Sequence, residues 1–139
     1  RHSDSIACEG SAYKGDLYYD GRTRIAKESW HVDYDYTPYK AATSAILGRW
    51  VGFKTVIRNV TVNGKLAVRV ELWINDNADR TTWKKVNELT DDGSWAGSST
   101  NCGGRNASMP LTWGGPIAAF RWDSAKDVDF KWLSVREIQ

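Results

Sequence analysis

The stretch Leu66-Ala67-Val68-Arg69-Val70-Glu71-Leu72-Trp73-Ile74 decides the fold of this chain. Leu66, Val68, Val70, Leu72 and Ile74 fall on one side of an extended backbone, and Ala67, Arg69, Glu71 and Trp73 on the other. That is the period of two expected of a half-buried strand. The aliphatic side is expected to turn inward. The opposite side sets a guanidinium, a carboxylate and an indole next to one another, which suits the lining of a sugar-binding groove.

Just upstream, Asn63-Gly64 is a strong hairpin signal, joining this strand to one over residues 50–59. There Phe53, Thr55 and Ile57 share one face, and Gly52, Lys54, Val56 and Arg58 the other. Downstream, residues 75–79 read as a second turn leading into a strand over 81–89. Within that turn Asn75, Asn77 and Asp79 offer oxygens at alternate positions, as calcium loops do. Arg80 stands where such a loop carries Gly, and no acid occupies the twelfth place. A plain hairpin turn is the reading, with Ca2+ as the open alternative and no other cofactor expected.

Residues 30–36 alternate strictly, with Trp30, Val32, Tyr34 and Tyr36 on one side and His31, Asp33 and Asp35 on the other. Pro38 ends that strand, and residues 39–47 hold a helical turn or a loop. Residues 1–29 carry turn signals every few positions and read as a loosely structured arm, with a short strand at 17–19. Residues 90–116 are a long Gly-rich loop. The last two strands are expected at 117–123 and 128–138, the latter apolar on both faces and so central and covered on both sides. The sequence therefore predicts an all-β chain with little or no helix: an arm over 1–29 and a two-sheet antiparallel sandwich over 30–139.

At 139 residues the chain suits one domain with a single core. Its 19 basic and 17 acidic residues give a net charge of +2 and are interspersed, which argues against nucleic acid or a membrane surface as partner. No apolar run is long enough for a membrane-spanning helix. A start at Arg1 is what a processed or excised polypeptide would show. Cys8 and Cys102 lack metal-site spacing. They read as a disulfide in an extracellular protein, a setting favoured by the sequons at Asn59 and Asn106, or as two free thiols in the cytosol.

Gly48-Arg49-Trp50-Val51-Gly52-Phe53-Lys54, Val70-Glu71-Leu72-Trp73, Thr112-Trp113-Gly114-Gly115-Pro116, Phe120-Arg121-Trp122-Asp123 and residues 128–138 together resemble a family of secreted archaeal and bacterial proteins with a concanavalin-A-like jelly roll. The family shares its architecture with lectins, glucanases and alginate or glucuronan lyases. The resemblance implies a curved sandwich with a glycan groove, on or near which Lys54, Arg58, Glu71, Trp73 and Arg121 would sit. Such jelly rolls are longer than this chain. It is then a shortened version, a fragment, or a domain that borrows a strand from another molecule.

Three functions follow as expectations. The first is a secreted carbohydrate-binding domain with Trp73, Trp95 and Trp113 as exposed stacking rings and Lys54, Arg58, Glu71 and Arg121 as polar contacts. The second is a polysaccharide lyase with His31 or Tyr34 as base, the cations neutralising a uronate carboxylate. The third is a structural subunit that binds copies of itself in an extracellular filament or surface layer, exchanging strands through the arm. Hydrolysis is disfavoured. A glycosidase needs paired carboxylates across a groove, and Glu71 has none two or four positions away.

Overall fold

The computed structural model describes residues 8–30, 33–95, 102, 103, 105–115 and 117–138. Seven strands follow in order: β1 (Ala12–Leu17), β2 (Arg22–Ser29), β3 (Asp33–Tyr36), β4 (Lys40–Ala41), β5 (Gly52–Val62), β6 (Lys65–Asn75) and β7 (Lys84–Asp91). They form two antiparallel sheets, β1-β2-β3 with β4 paired further along β2, and β5-β6-β7. The chain is all-β, with essentially no helix among the described residues.

The β5–β6 hairpin is built by its turn. Asn63 and Gly64 take positive φ of 50° and 75°, the backbone that a two-residue hairpin of matching twist requires. Val62 then pairs with Lys65, Ile57 with Val70 and Lys54 with Trp73. This register sends Val68, Val70 and Leu72 into the core, where they meet Ile25 of β2. Tyr13, Phe53, Val86, Leu89 and Trp95 pack around that cluster. Each aliphatic side chain buried this way contributes roughly 1.5–3 kcal/mol.

Cys8 and Cys102 form a disulfide across a sequence separation of 94. It ties the start of the chain to the loop after β7, and closing so long a loop stabilises the fold by about 4–5 kcal/mol in the chain-entropy view. Arg105 Nη1 donates to the Cys8 carbonyl at 2.8 Å beside it.

Several expectations need correction. Residues 12–29 are not loose but form β1 and β2, and β2 is almost wholly buried. Its buried positions include Thr23, Lys27, Glu28 and Ser29. Lys27, Glu28 and Ser29 have internal partners, and buried polar residues of that kind hide a core strand from any hydropathy pattern. Of the strand expected over 30–36, β3 covers Asp33–Tyr36, Trp30 lies in a turn, and His31 and Val32 fall outside the described residues; Tyr34 and Tyr36 face outward and are exposed. Residues 39–47 contain the short β4 and turns. No strand follows β7 among the described residues, so 117–123 and 128–138 are neither strands nor a covered centre. Trp132 and Val135 are 60% and 69% exposed. Ser124 and Trp132 take φ of 58° and 56°, and a left-handed residue interrupts the pleat that a ladder needs.

Candidate functional site

The face of β5-β6-β7 turned away from the core gathers most of the polar side chains singled out from the sequence. The pairing of Lys54 with Trp73, and of Val56 with Glu71, sets their side chains on that face. Lys54 Nζ stands 5.0 Å from the Trp73 ring centre and 4.5 Å from that of Trp83, so one ammonium sits between two indoles. Trp83 reaches this place because Gly52 has no side chain. A Cβ there would come within 3.1 Å of the indole edge and 2.8 Å of Asn75 Cβ.

Glu71 organises the rest. It is buried, and its Oε2 accepts the Trp73 Nε1 proton at 3.0 Å. Arg58 Nη2 donates to its Oε1 at 3.3 Å, and Lys85 Nζ lies 3.8 Å from the same oxygen. Lys85 also pairs with Glu88, and that ammonium is the main reason the Glu88 carboxyl is held below its ordinary value. Glu88 faces Glu71 across the ladder, so Lys85 bridges two carboxylates that would otherwise repel. Arg69, paired with Thr90, extends the face. Lys54, Arg58, Arg69 and Lys85 against Glu71 and Glu88 leave this cluster at +2, and Lys65 at the hairpin end adds a further cation on the same side.

Trp83, Lys85 and Glu88 were not singled out from the sequence. Lys85 is hidden by a bulge between Leu72 and Trp73 that sets Lys85, rather than Val86, opposite Trp73. Val86 turns to the core instead. Strict alternation through 81–89 groups Trp83 and Lys85 with Asn87 and Leu89, which turn inward, and so would have placed them on the wrong side.

The other expected contacts lie elsewhere. Trp95 packs on the core cluster, away from the Trp73 face. Trp113 is 55% exposed and lines a groove of about 660 Å³ with Ile57, Arg58, Asn59 and residues 135–138. Arg58 therefore joins this groove to the Glu71 network. Asn59 Nδ2 donates to the Thr112 carbonyl at 2.9 Å, and both residues line the groove. Arg121 pairs with Asp123 at 2.9 Å on the C-terminal segment, within reach of the charge of Glu28 in the other sheet. His31 lies outside the described residues. Tyr34 donates its hydroxyl proton to Glu28 at 2.8 Å. Burial, then that bond, push its phenol above the ordinary value, the opposite of what a base needs.

In the 75–79 turn, Asp79 Oδ1 accepts the Thr81 and Thr82 backbone protons at 2.9 and 2.8 Å and the Asn75 Nδ2 proton at 2.5 Å. Those bonds, that of Thr82 foremost, hold its carboxyl far below the usual range and account for this acid as turn chemistry. No group of three His, Cys, Asp or Glu that could hold a metal occurs among the described residues. Comparison with protein-family models, with curated proteins and with solved structures finds no match to this chain.

Proposed function

We propose that this chain is an extracellular polysaccharide-binding domain that holds an acidic glycan across the outer face of β5-β6-β7. One observation carries the reading: two indoles flank a single ammonium, beside a buried carboxylate that orients a guanidinium and a second ammonium. Indole faces offer apolar surface to pyranose C–H groups. The surplus positive charge suits a chain of uronates. The disulfide and the exposed sequon residue Asn106 support an extracellular setting. The resemblance to jelly-roll lectins points the same way.

The alternatives have less support. A lyase would use His31 or Tyr34 as base; His31 lies outside the described residues, and the phenol of Tyr34 is stabilised in its protonated form. A filament built through the N-terminal arm would need that arm free, whereas residues 12–17 pair within their own sheet.

The test is a titration of intrinsic tryptophan fluorescence with soluble polyuronates. Binding should shift the emission, and Trp73→Ala should weaken it about tenfold, or about 1.4 kcal/mol. A flat titration with every polyuronate tried removes the proposal.

A further inference from the structure

The opposite outer surface, on β1-β2-β3, carries a second aromatic array that takes no part in the site above. On β2, Ile25 and Lys27 point into the core, so Arg24 and Glu28 point outward beneath Tyr34, Tyr36 and Tyr39. The Arg24 guanidinium lies 3.7 Å from the Tyr36 ring centre and 5.2 Å from that of Tyr39, and its Nε donates to Asp16 at 3.0 Å. Lys14 Nζ stands 4.5 Å from the Tyr34 ring centre and 2.5 Å from Glu28. The Tyr34 and Tyr36 rings are inclined by only 11°, with centres 6.2 Å apart. Tyr36 and Tyr39 are each 46% exposed.

Three properties make this a surface built for contact. The rings are fixed from beneath by cations and by a buried carboxylate, so little side-chain freedom is left to lose on binding. Tyr34 and Tyr36 stack nearly parallel on one strand, with Tyr39 beside them around the same guanidinium. The charges cancel locally, Lys14 with Glu28, Arg24 with Asp16 and Arg22 with Asp20. The surplus positive charge of the other face is missing here, so electrostatics give this strip no preference for an anionic chain.

We infer that the Tyr34-Tyr36-Tyr39 strip is a second glycan subsite, selective for a neutral polysaccharide. Being on the opposite outer face of the sandwich from Trp73, it lets one molecule join a neutral chain to an acidic one. The strip stands on its own geometry, while the joining of two chains rests on the function proposed above.

Affinity electrophoresis of the full chain in gels holding a soluble neutral β-glucan, a mannan or a polygalacturonate tests this. At least one neutral polymer should retard the wild type. Tyr36→Ala, and Tyr34→Ala with Tyr36→Ala, should weaken that retardation about tenfold and leave polygalacturonate binding intact. Trp73→Ala should do the reverse, and mixed polymers should co-precipitate with wild type alone. If a tyrosine variant misfolds, slowed amide exchange in β2 and β3 of the wild type on adding the neutral polymer decides the matter. Absence of neutral binding, or neutral binding untouched by the tyrosine substitutions and unmarked in β2 and β3, overturns the inference. Loss of the Trp73 effect alone would sink the acidic site and the joining of chains but not the strip.

Discussion

Lys27 Nζ lies 2.6 Å from Asp91 Oδ2, and neither side chain is exposed to solvent. The ammonium has two further acceptors, the carbonyls of Trp95 at 3.1 Å and Ser108 at 3.2 Å. Asp91 takes the Tyr13 hydroxyl proton at 2.6 Å on the same oxygen and the Gly93 backbone proton at 3.0 Å on the other. One ion pair thus joins β1, β2, β7 and the loop that follows. With three acceptors for its three protons, the buried ammonium is fully hydrogen-bonded, the condition under which a buried charge is tolerated.

Lys27→Met keeps the stem of the side chain but leaves Asp91 charged and unpaired by any cation in the core. Removing one partner of such a pair costs about 3–5 kcal/mol. A denaturant titration followed by tryptophan emission should show the midpoint falling accordingly. A loss below about 1 kcal/mol, the range of surface pairs, would show that water reaches the site.

Stability should decline on the alkaline side. Burial pushes the Tyr13 and Tyr34 phenols up, helped by Asp91 and Glu28, and burial with a Tyr39 contact pushes Tyr18 up to about 12 from an ordinary 10.0. Below pH 10 these groups are neutral in both states and nothing is lost. Above it the unfolded chain gives up protons that the folded chain keeps, so stability falls as pH rises from 10 towards about 12. Denaturation midpoints across that window, read beside tyrosinate absorbance, check the slope, and Tyr13→Phe should flatten it.

The β5–β6 hairpin was legible because its two determinants are local: a period of two and an Asn-Gly turn. The charged side of β6 was legible for the same reason, and Lys54, Arg58, Glu71 and Trp73 share one face. β2 was not, because its inward positions include Lys27 and its outward ones Glu28, both buried through partners far off in sequence. The side of β3 was misjudged likewise. Tyr34 and Tyr36 look like core residues, yet they stack outside on Lys14 and Arg24. Lys85 depends on a bulge, which no periodicity announces.

The C-terminal segment separates pattern from pairing. Its alternation of Val128, Phe130 and Trp132 satisfies the strand criterion, but no ladder bonds form and the side chains stay exposed. Amides without ladder partners and near solvent exchange from low-energy openings. Exchange read by mass spectrometry should therefore be fast across 117–138 and slow across β6. Slow exchange at 128–138 would mean that the strand foreseen from sequence does form in solution.

Gly15→Ala tests how the sheets set the binding face. Gly15 pairs with Ile25 in the first sheet, and an added Cβ would strike the Thr55 side chain and lie 2.5 Å from Leu72 Cδ2. Thr55 and Leu72 face each other across β5 and β6, so the methyl group cannot enter unless those side chains, or β5 with them, give way. Overpacking of this kind costs about 1–3 kcal/mol. Thr55→Ala frees the space, and the double variant should recover part of the loss, a non-additivity expected of residues in contact. Because Lys54 sits on the far side of the same strand, a displaced β5 would also move the ammonium from between Trp73 and Trp83. Polyuronate affinity should then fall in Gly15→Ala and return with Thr55→Ala; stability that recovers without affinity would show that the face does not depend on how β1 seats β5.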